Sequence, residues 1–378
     1  MKLIGAIVLL FNLNSFVVFS QNTAFVSGKP WKDASGVHIN AHGGGVIFAD
    51  GTYYWYGEYK TAGRGGNTSL KGVSCYSSKD LYNWKNEGIV LKVEENPNSE
   101  ITKGCIIERP KVVFNKKTAQ YVMWFHLELK GQGYDAARAA VAVSDNPKGP
   151  FKFIKSYRPN KGVWPMNFDE QMKLPSSADQ GLQSWTPEWK LAIAKGMFVR
   201  RDFQVGQMSR DMTVYVDDDT KAYLIHSSED NLTLHISELT DDYLDFTDKW
   251  IQLEPAGHNE APAVFKQNGF YYMITSGCTG WDPNEARSFK SKSIWGPWEP
   301  LGNPCVGEDA ALTFHSQSTY VLKVEGKKDQ FIFMADRWKP SNPIDGTYVW
   351  LPIQLENGKP IIKWYDSWNL DAFNFKKQ

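Results

Sequence analysis

The chain has 378 residues, enough for one large domain or two smaller ones, and its 42 basic and 42 acidic residues leave a formal net charge of zero. That balance speaks against a nucleic-acid partner, which calls for a basic surface. Aromatic residues make up 14%, with 15 Trp and 17 Tyr. This surplus of flat rings with polar tips is of the kind that lines sugar-binding clefts.

Residues 1–20 read as a secretory signal. Lys2 precedes the apolar run LIGAIVLLFNLNSFVVF, and cleavage is expected after Ser20. The run is short and broken by Asn12 and Asn14, so a permanent anchor is the weaker reading. No other segment is long and apolar enough to span a bilayer. The expectation is a secreted or periplasmic protein with no membrane span after cleavage, and one mature domain over 21–378. Cys75, Cys105, Cys278 and Cys305 are scattered without CxxC spacing and read as buried free thiols.

The rest of the chain carries a repeat. A turn followed by an aromatic strand recurs at DGTYYWYGE (50–58), KTAQYVMWF (117–125), DTKAYLIHSS (219–228), QNGFYYMITS (267–276) and KDQFIFMADR (328–337). Asp50-Gly51 and Asn268-Gly269 are hairpin signals. A strand-like run precedes each turn: GGVIFA, PKVVFN, MTVYVD, APAVFK and STYVLK. A third run follows most of them, and SDNPKGPF resembles SKSIWGPW. Repeated antiparallel units of this size predict an all-β fold, a five-bladed β-propeller, with a sandwich pair as the rival. One long, partly helical insertion covers about 158–208. Its helix is predicted over TPEWKLAIAKGMF (186–198), with Thr186 as N-cap and Pro187 in the first turn.

In a propeller the innermost strands converge on one channel mouth. The position 11 to 14 residues before each marker aromatic is His42, Glu108, Asp211, Glu260 and Gln317. All five are polar and three are acids. Clustered carboxylates raise one another's pKa, which is how a site keeps a protonated acid near neutral pH. The structural alternative is that these acids cap strands or pair with Arg109 and Arg210. Three acids at matched positions favour a site. The chain has no HExxH, no GxSxG and no phosphate loop. His38 and His42 are an isolated pair and weak evidence for a metal. No metal or cofactor is expected, with a structural cation in the channel left open. The glycines of AHGGG read as backbone open to close approach by a ligand.

RDMTVYVDDDTKAYLI (210–225) and EAPAVFKQNGFYYMIT (260–275) resemble blade motifs of glycoside hydrolase family 43. AHGGG, YYWYGE, GVSCYSSKDLYNW, ERPKVVFN, TSGCTGWDPN, SQSTYVL, MADRW and YVWLPI resemble its exo-β-1,3-galactanase branch, over about 36–368. The resemblance implies a propeller that cleaves glycosidic bonds with inversion. It implies Glu260 as general acid and Asp211 as the carboxylate that tunes it. The first blade has no acid at the usual base position. Glu108 and Gln317 are implied to contribute instead, and Glu58, Tyr134 and Trp281 to contact the terminal sugar. The expected substrate is a polysaccharide or oligosaccharide, β-1,3-galactan first. Arabinofuranosyl or galactofuranosyl substrates, or a non-catalytic sugar-binding propeller, are the alternatives.

An inverting enzyme needs a protonated acid on the leaving oxygen and a water on the opposite face of the sugar. Glu260 is expected to be kept protonated by Asp211 and Glu108. Gln317 is expected to position the water and Glu108 to assist its deprotonation. Trp281 is the foremost stacking candidate. Trp338 and Trp350 read more as core. Trp164, Trp185 and Trp189 either wall a cleft or anchor the insertion.

Overall fold

The computed structural model describes residues 21–374, so the leader-like segment 1–20 lies outside the described residues. At the two hairpin signals both central residues take positive φ: 48° and 69° at Asp50-Gly51, 53° and 76° at Asn268-Gly269. That left-handed pair matches the twist of the flanking strands. The strands then pair as five blade sheets around the channel, antiparallel but for one outer pair.

After a short β1 (Phe25–Val26), blade 1 holds β2 (His42–Ala49), β3 (Thr52–Glu58), β4 (Gly72–Ser78) and β5 (Lys85–Lys92). Blade 2 holds β6 (Ile106–Asn115), β7 (Gln120–Glu128), β8 (Arg138–Ser144) and β9 (Lys152–Tyr157). Blade 3 holds β10 (Met212–Val216), β11 (Ala222–Ser228), β12 (Thr233–Leu239) and β13 (Phe246–Leu253). Blade 4 holds β14 (Asn259–Gln267), β15 (Phe270–Gly277), β16 (Ala286–Ser291) and β17 (Glu299–Gly302). Blade 5 runs β18 (Cys305–Val306), β22 (Lys359–Lys363), β21 (Thr347–Glu356), β20 (Phe331–Arg337) and β19 (Gln317–Lys323), with β19 innermost and β18 parallel to β22. β23 (Ser367–Trp368) pairs with β1.

The middle strands are buried along both faces rather than on alternate residues, because each sheet is covered by the next blade on either side. Separate apolar clusters fill the joints between blades 1 and 2, 2 and 3, and 3 and 4. The largest joins blades 4, 5 and 1. Trp350 belongs to it, buried and tilted against Trp55 at 4.8 Å, so it is core. Phe25 closes the ring between the two chain ends, 4.5 Å from Trp368 and 5.8 Å from Trp350. All four cysteines are free thiols.

The insertion departs from the single predicted helix. Thr186 Oγ1 accepts from the Trp189 amide at 3.3 Å and starts α1 (Pro187–Ala194). Gly196, at φ 87°, stops it, and α2 (Met197–Asp202) begins there. The insertion packs on blade 3, with Phe168 and Val199 against Trp250, and Trp189 and Ile193 against Leu232. Trp164 stacks on Phe203 at 4.0 Å. Among the described residues, no helix is long and apolar enough to cross a membrane.

Candidate active site

In four blades the innermost hairpin slips register directly beyond its mouth residue. The slips fall between His42 and Gly45, Glu108 and Lys111, Glu260 and Ala263, and Ser318 and Tyr320. In three of them a left-handed residue follows the mouth residue: Gly43 at φ 61°, Arg109 at 54° and Ala261 at 54°. Such bulges bend a strand and re-aim its side chains. They turn Glu108, Glu260 and Gln317, with Asp211 just before β10, toward one cavity of about 310 Å³. Glu58, Tyr134 and Trp281 line the same cavity.

Glu260 is 9% exposed. Its Oε1 accepts from Gln317 Nε2 at 2.8 Å, and its Oε2 faces Asn231 Nδ2 at 3.4 Å. Burial pushes its pKa up to about 8, and the charge of Asp211 adds to this against the pull of Arg109. Glu108 is held ionised by its own partners. Burial opposes the charged form there, but His126 bonds Oε2 at 3.1 Å while Asn67 and Tyr134 donate to Oε1 at 2.8 and 2.7 Å. Together they hold the carboxyl well below the usual range. Burial and Asp211 are the main causes that keep Glu260 protonated.

Read from sequence alone, Gln317 holds the attacking water. In the structure its amide is committed elsewhere. Oε1 accepts from Arg109 Nη2 at 2.5 Å and Trp338 Nε1 at 2.9 Å. Nε2 donates to Glu260 and to Ser276 Oγ at 2.9 Å. Both protons and both lone pairs are used, so Gln317 orients Glu260. Arg109 bridges the site. Its Nη2 also pairs with Asp211 at 2.7 Å, its amide donates to Glu58 Oε1 at 2.9 Å, and its guanidinium lies 5.2 Å from the Trp338 ring. The Arg109 pairing raised as a structural alternative is thus present, inside the site.

Glu58 is buried and its pKa is raised by that burial against the attraction of Lys60. Lys60, 2% exposed, bonds both Glu58 and Asn67, and its ammonium lies 5.9 Å from Trp281 and 5.7 Å from Trp338. Trp281 stays 39% exposed on the cavity wall, edge-on to Trp338 at 5.5 Å. Trp338, read more as core, shares that wall. Under the floor, Lys111 donates to the carbonyls of Gly43 and Arg109, and burial with the charge of Arg109 pushes its pKa down to about 7.

His42 does not reach the cavity. It is fully buried, stacked on Tyr348 at 5.1 Å, with Nδ1 3.7 Å from Asp336. The reading of the AHGGG glycines changes as well. A Cβ on Gly44 would lie 1.6 Å from the Tyr56 carbonyl oxygen, and one on Gly43 2.1 Å from Glu58 Oε1. These glycines admit a neighbouring strand and a carboxylate rather than a ligand.

Glu108, His126 and Asp211 bring ligand-type atoms within 4.8 Å of one another. Both His126 nitrogens, however, face carboxylates, Glu108 at 3.1 Å and Glu128 at 2.8 Å. Burial works against the charge, but these two partners raise its pKa to about 9. Both ring nitrogens are thus engaged by carboxylates, which leaves His126 no free lone pair for a metal as it stands here.

Arg109 as a bridge, Lys60, Asn67, His126 and Asn231 escaped the repeat. A signal for one of them, His126, existed. Pairing each mouth residue back across its hairpin gives Glu58 opposite His42, His126 opposite Glu108, Ser276 opposite Glu260 and Asp336 opposite Gln317.

This geometry has solved counterparts. A β-1,3-galactosidase of family 43, solved with galactodeoxynojirimycin, is 58% identical over 92% of this chain and 100% of its own, with a TM-score of 0.89. The chain belongs to glycoside hydrolase family 43. Residues 164–347 match the family described as glycosyl hydrolases family 43. A second family 43 β-1,3-galactosidase is 39% identical over 94% of this chain and 65% of its own, TM-score 0.78. An exo-β-1,3-galactanase from Phanerochaete chrysosporium, solved with β-1,3-galactotriose, is 31% identical over 92% and 68%, TM-score 0.73. No curated protein matches. This family 43 member is a glycoside hydrolase.

Proposed function

We propose that the enzyme removes terminal galactose from β-1,3-galactan with inversion. The observation that carries the substrate is the 58% identity to a β-1,3-galactosidase along that protein's whole length. A cavity of about 310 Å³ is at the small end of small-molecule sites, which suits one end of a chain. The leader-like segment 1–20 supports export to the periplasm or beyond.

Glu260 donates its proton to the leaving oxygen. It is protonated below pH of about 8 through burial and Asp211, and Gln317 fixes its orientation. Glu108 receives the proton of the attacking water. Its proton affinity is low, yet water adding to an oxocarbenium-like carbon becomes strongly acidic, so a weakly basic carboxylate suffices. Glu58, Tyr134 and Trp281 hold the sugar, Trp281 by its apolar face.

The test is to incubate wild type and Glu260→Ala with β-1,3-galactan and follow products by anomer-resolved NMR. The expected result is α-galactose, the inverted anomer, from wild type alone. Release of the β anomer, or no release by wild type, sinks the reading.

A further inference from the structure

Among the described residues, the insertion leaves one large aromatic side chain largely in solvent, next to His258. Trp185 is 55% exposed and sits at φ 72°, a conformation that L-residues with bulky side chains avoid. A strained backbone that displays an indole to water calls for a purpose. Anchoring the insertion is not that purpose, because Trp189, 8% exposed, already packs with Ile193 on Leu232.

The position of Trp185 follows from three contacts. Its ring meets Trp189 at 5.3 Å and His258 edge-on at 5.1 Å. The His258 amide donates to the Leu232 carbonyl at 3.0 Å. Leu232 follows Asn231, which faces Glu260 Oε2. Trp185 therefore stands outside the cavity lining, on the side of Asn231 and His258. His258 lies two residues before Glu260 in the chain, a span of at most about 7 Å.

The side from which the leaving group departs also follows. Glu260 Oε1 is occupied by Gln317. Oε2 faces Asn231 at the long distance of 3.4 Å, and the Cys278 thiol also bonds this carboxyl; Oε2, the oxygen not held by Gln317, is the one that meets the leaving oxygen. The leaving group approaches from the Asn231 side and then runs out toward His258 and Trp185.

We infer that Trp185, backed by His258, is a stacking platform for galactosyl units on the leaving-group side, beyond the sugar attached to the scissile bond. The inference rests on the galactan reading above and adds to it a binding surface made by the insertion. Pyranose rings present an apolar face to an indole, and such contact requires no charge. This platform contributes affinity for chains, and nothing for a single leaving sugar.

The test compares kcat/KM of wild type, Trp185→Ala and Trp185→Phe on β-1,3-galactobiose, β-1,3-galactotriose and polymeric β-1,3-galactan. The expected loss in Trp185→Ala grows with length. It stays under about twofold on the disaccharide and reaches about threefold to tenfold on the longer substrates, mostly in KM. Trp185→Phe keeps most of the wild-type value at every length. Equal losses on all three substrates, or no loss on any, overturn the platform. A wild type inactive on all three overturns the galactan reading and the platform with it. An active wild type matched by Trp185→Ala at every length overturns the platform alone.

Discussion

The Asp211→Asn variant tests how the acid is tuned. Asp211 shares the Arg109 guanidinium, 2.7 Å away, and its charge is second only to burial in raising the Glu260 pKa to about 8. Two unit charges a few ångström apart interact by about 2–4 kcal/mol at an effective dielectric near 20. Each pH unit corresponds to about 1.4 kcal/mol. Arg109 lies between the two carboxylates and cancels part of this, which leaves about one to two pH units. Removing the charge also frees the guanidinium to attract the Glu260 carboxylate, so both effects lower the pKa. Glu260 donates only when protonated, so wild-type activity falls as pH rises through about 8. In Asp211→Asn that alkaline limb moves down by about one to two pH units. The assay is kcat/KM for galactose release against pH, because kcat/KM reports groups of the free enzyme. An alkaline limb that stays in place or moves up would refute the tuning, whatever happens to the rate.

Three further outcomes are expected. Glu108→Gln lowers kcat by about 10² to 10⁴-fold, and azide restores part of the rate by forming a galactosyl azide; full activity without azide would remove Glu108 from the chemistry. Lys60→Met leaves Glu58 buried without its cation and costs about 3–5 kcal/mol, seen as a lower denaturation midpoint and at least tenfold weaker galactose binding by calorimetry, while Lys60→Arg keeps part of both. Chelation with EDTA leaves the rate unchanged, because His126 is protonated between Glu108 and Glu128; a rate restored only by added Ca²⁺ or Zn²⁺ would contradict that protonation state.

The five blades were legible because each needs a turn, an aromatic strand and a fixed spacing, all of which are local. The mouth positions followed from the same spacing, and four of five reach one cavity. His42 did not, because its blade follows it with Gly43 and Gly44, which let β2 sink against Tyr56 and Glu58 and carry the ring toward Tyr348 and Asp336 of blade 5. Arg109 stood in view beside Glu108, but its bridging role depends on a positive φ and on partners in blades 1, 3 and 5. Lys60, Asn67 and Asn231 sit in loops outside the repeated strands, where no period aligns them with anything. The helix break at Gly196 was written in the sequence, yet Met197 and Phe198 beyond it extended the apolar pattern.

The pairing of Phe25 with Trp368 makes the molecule a bracelet with a clasp. The clasp lies at the seam between blades 5 and 1, and that seam also runs through the catalytic cavity. Gln317 and Trp338 come from one side of it, Glu58 and Lys60 from the other. The site is therefore built across the joint that the clasp closes. A cut that removes the chain from Ser367 onward leaves the strands of all five blades in place, and it is expected to loosen the contact of Trp338 with Lys60 across that seam.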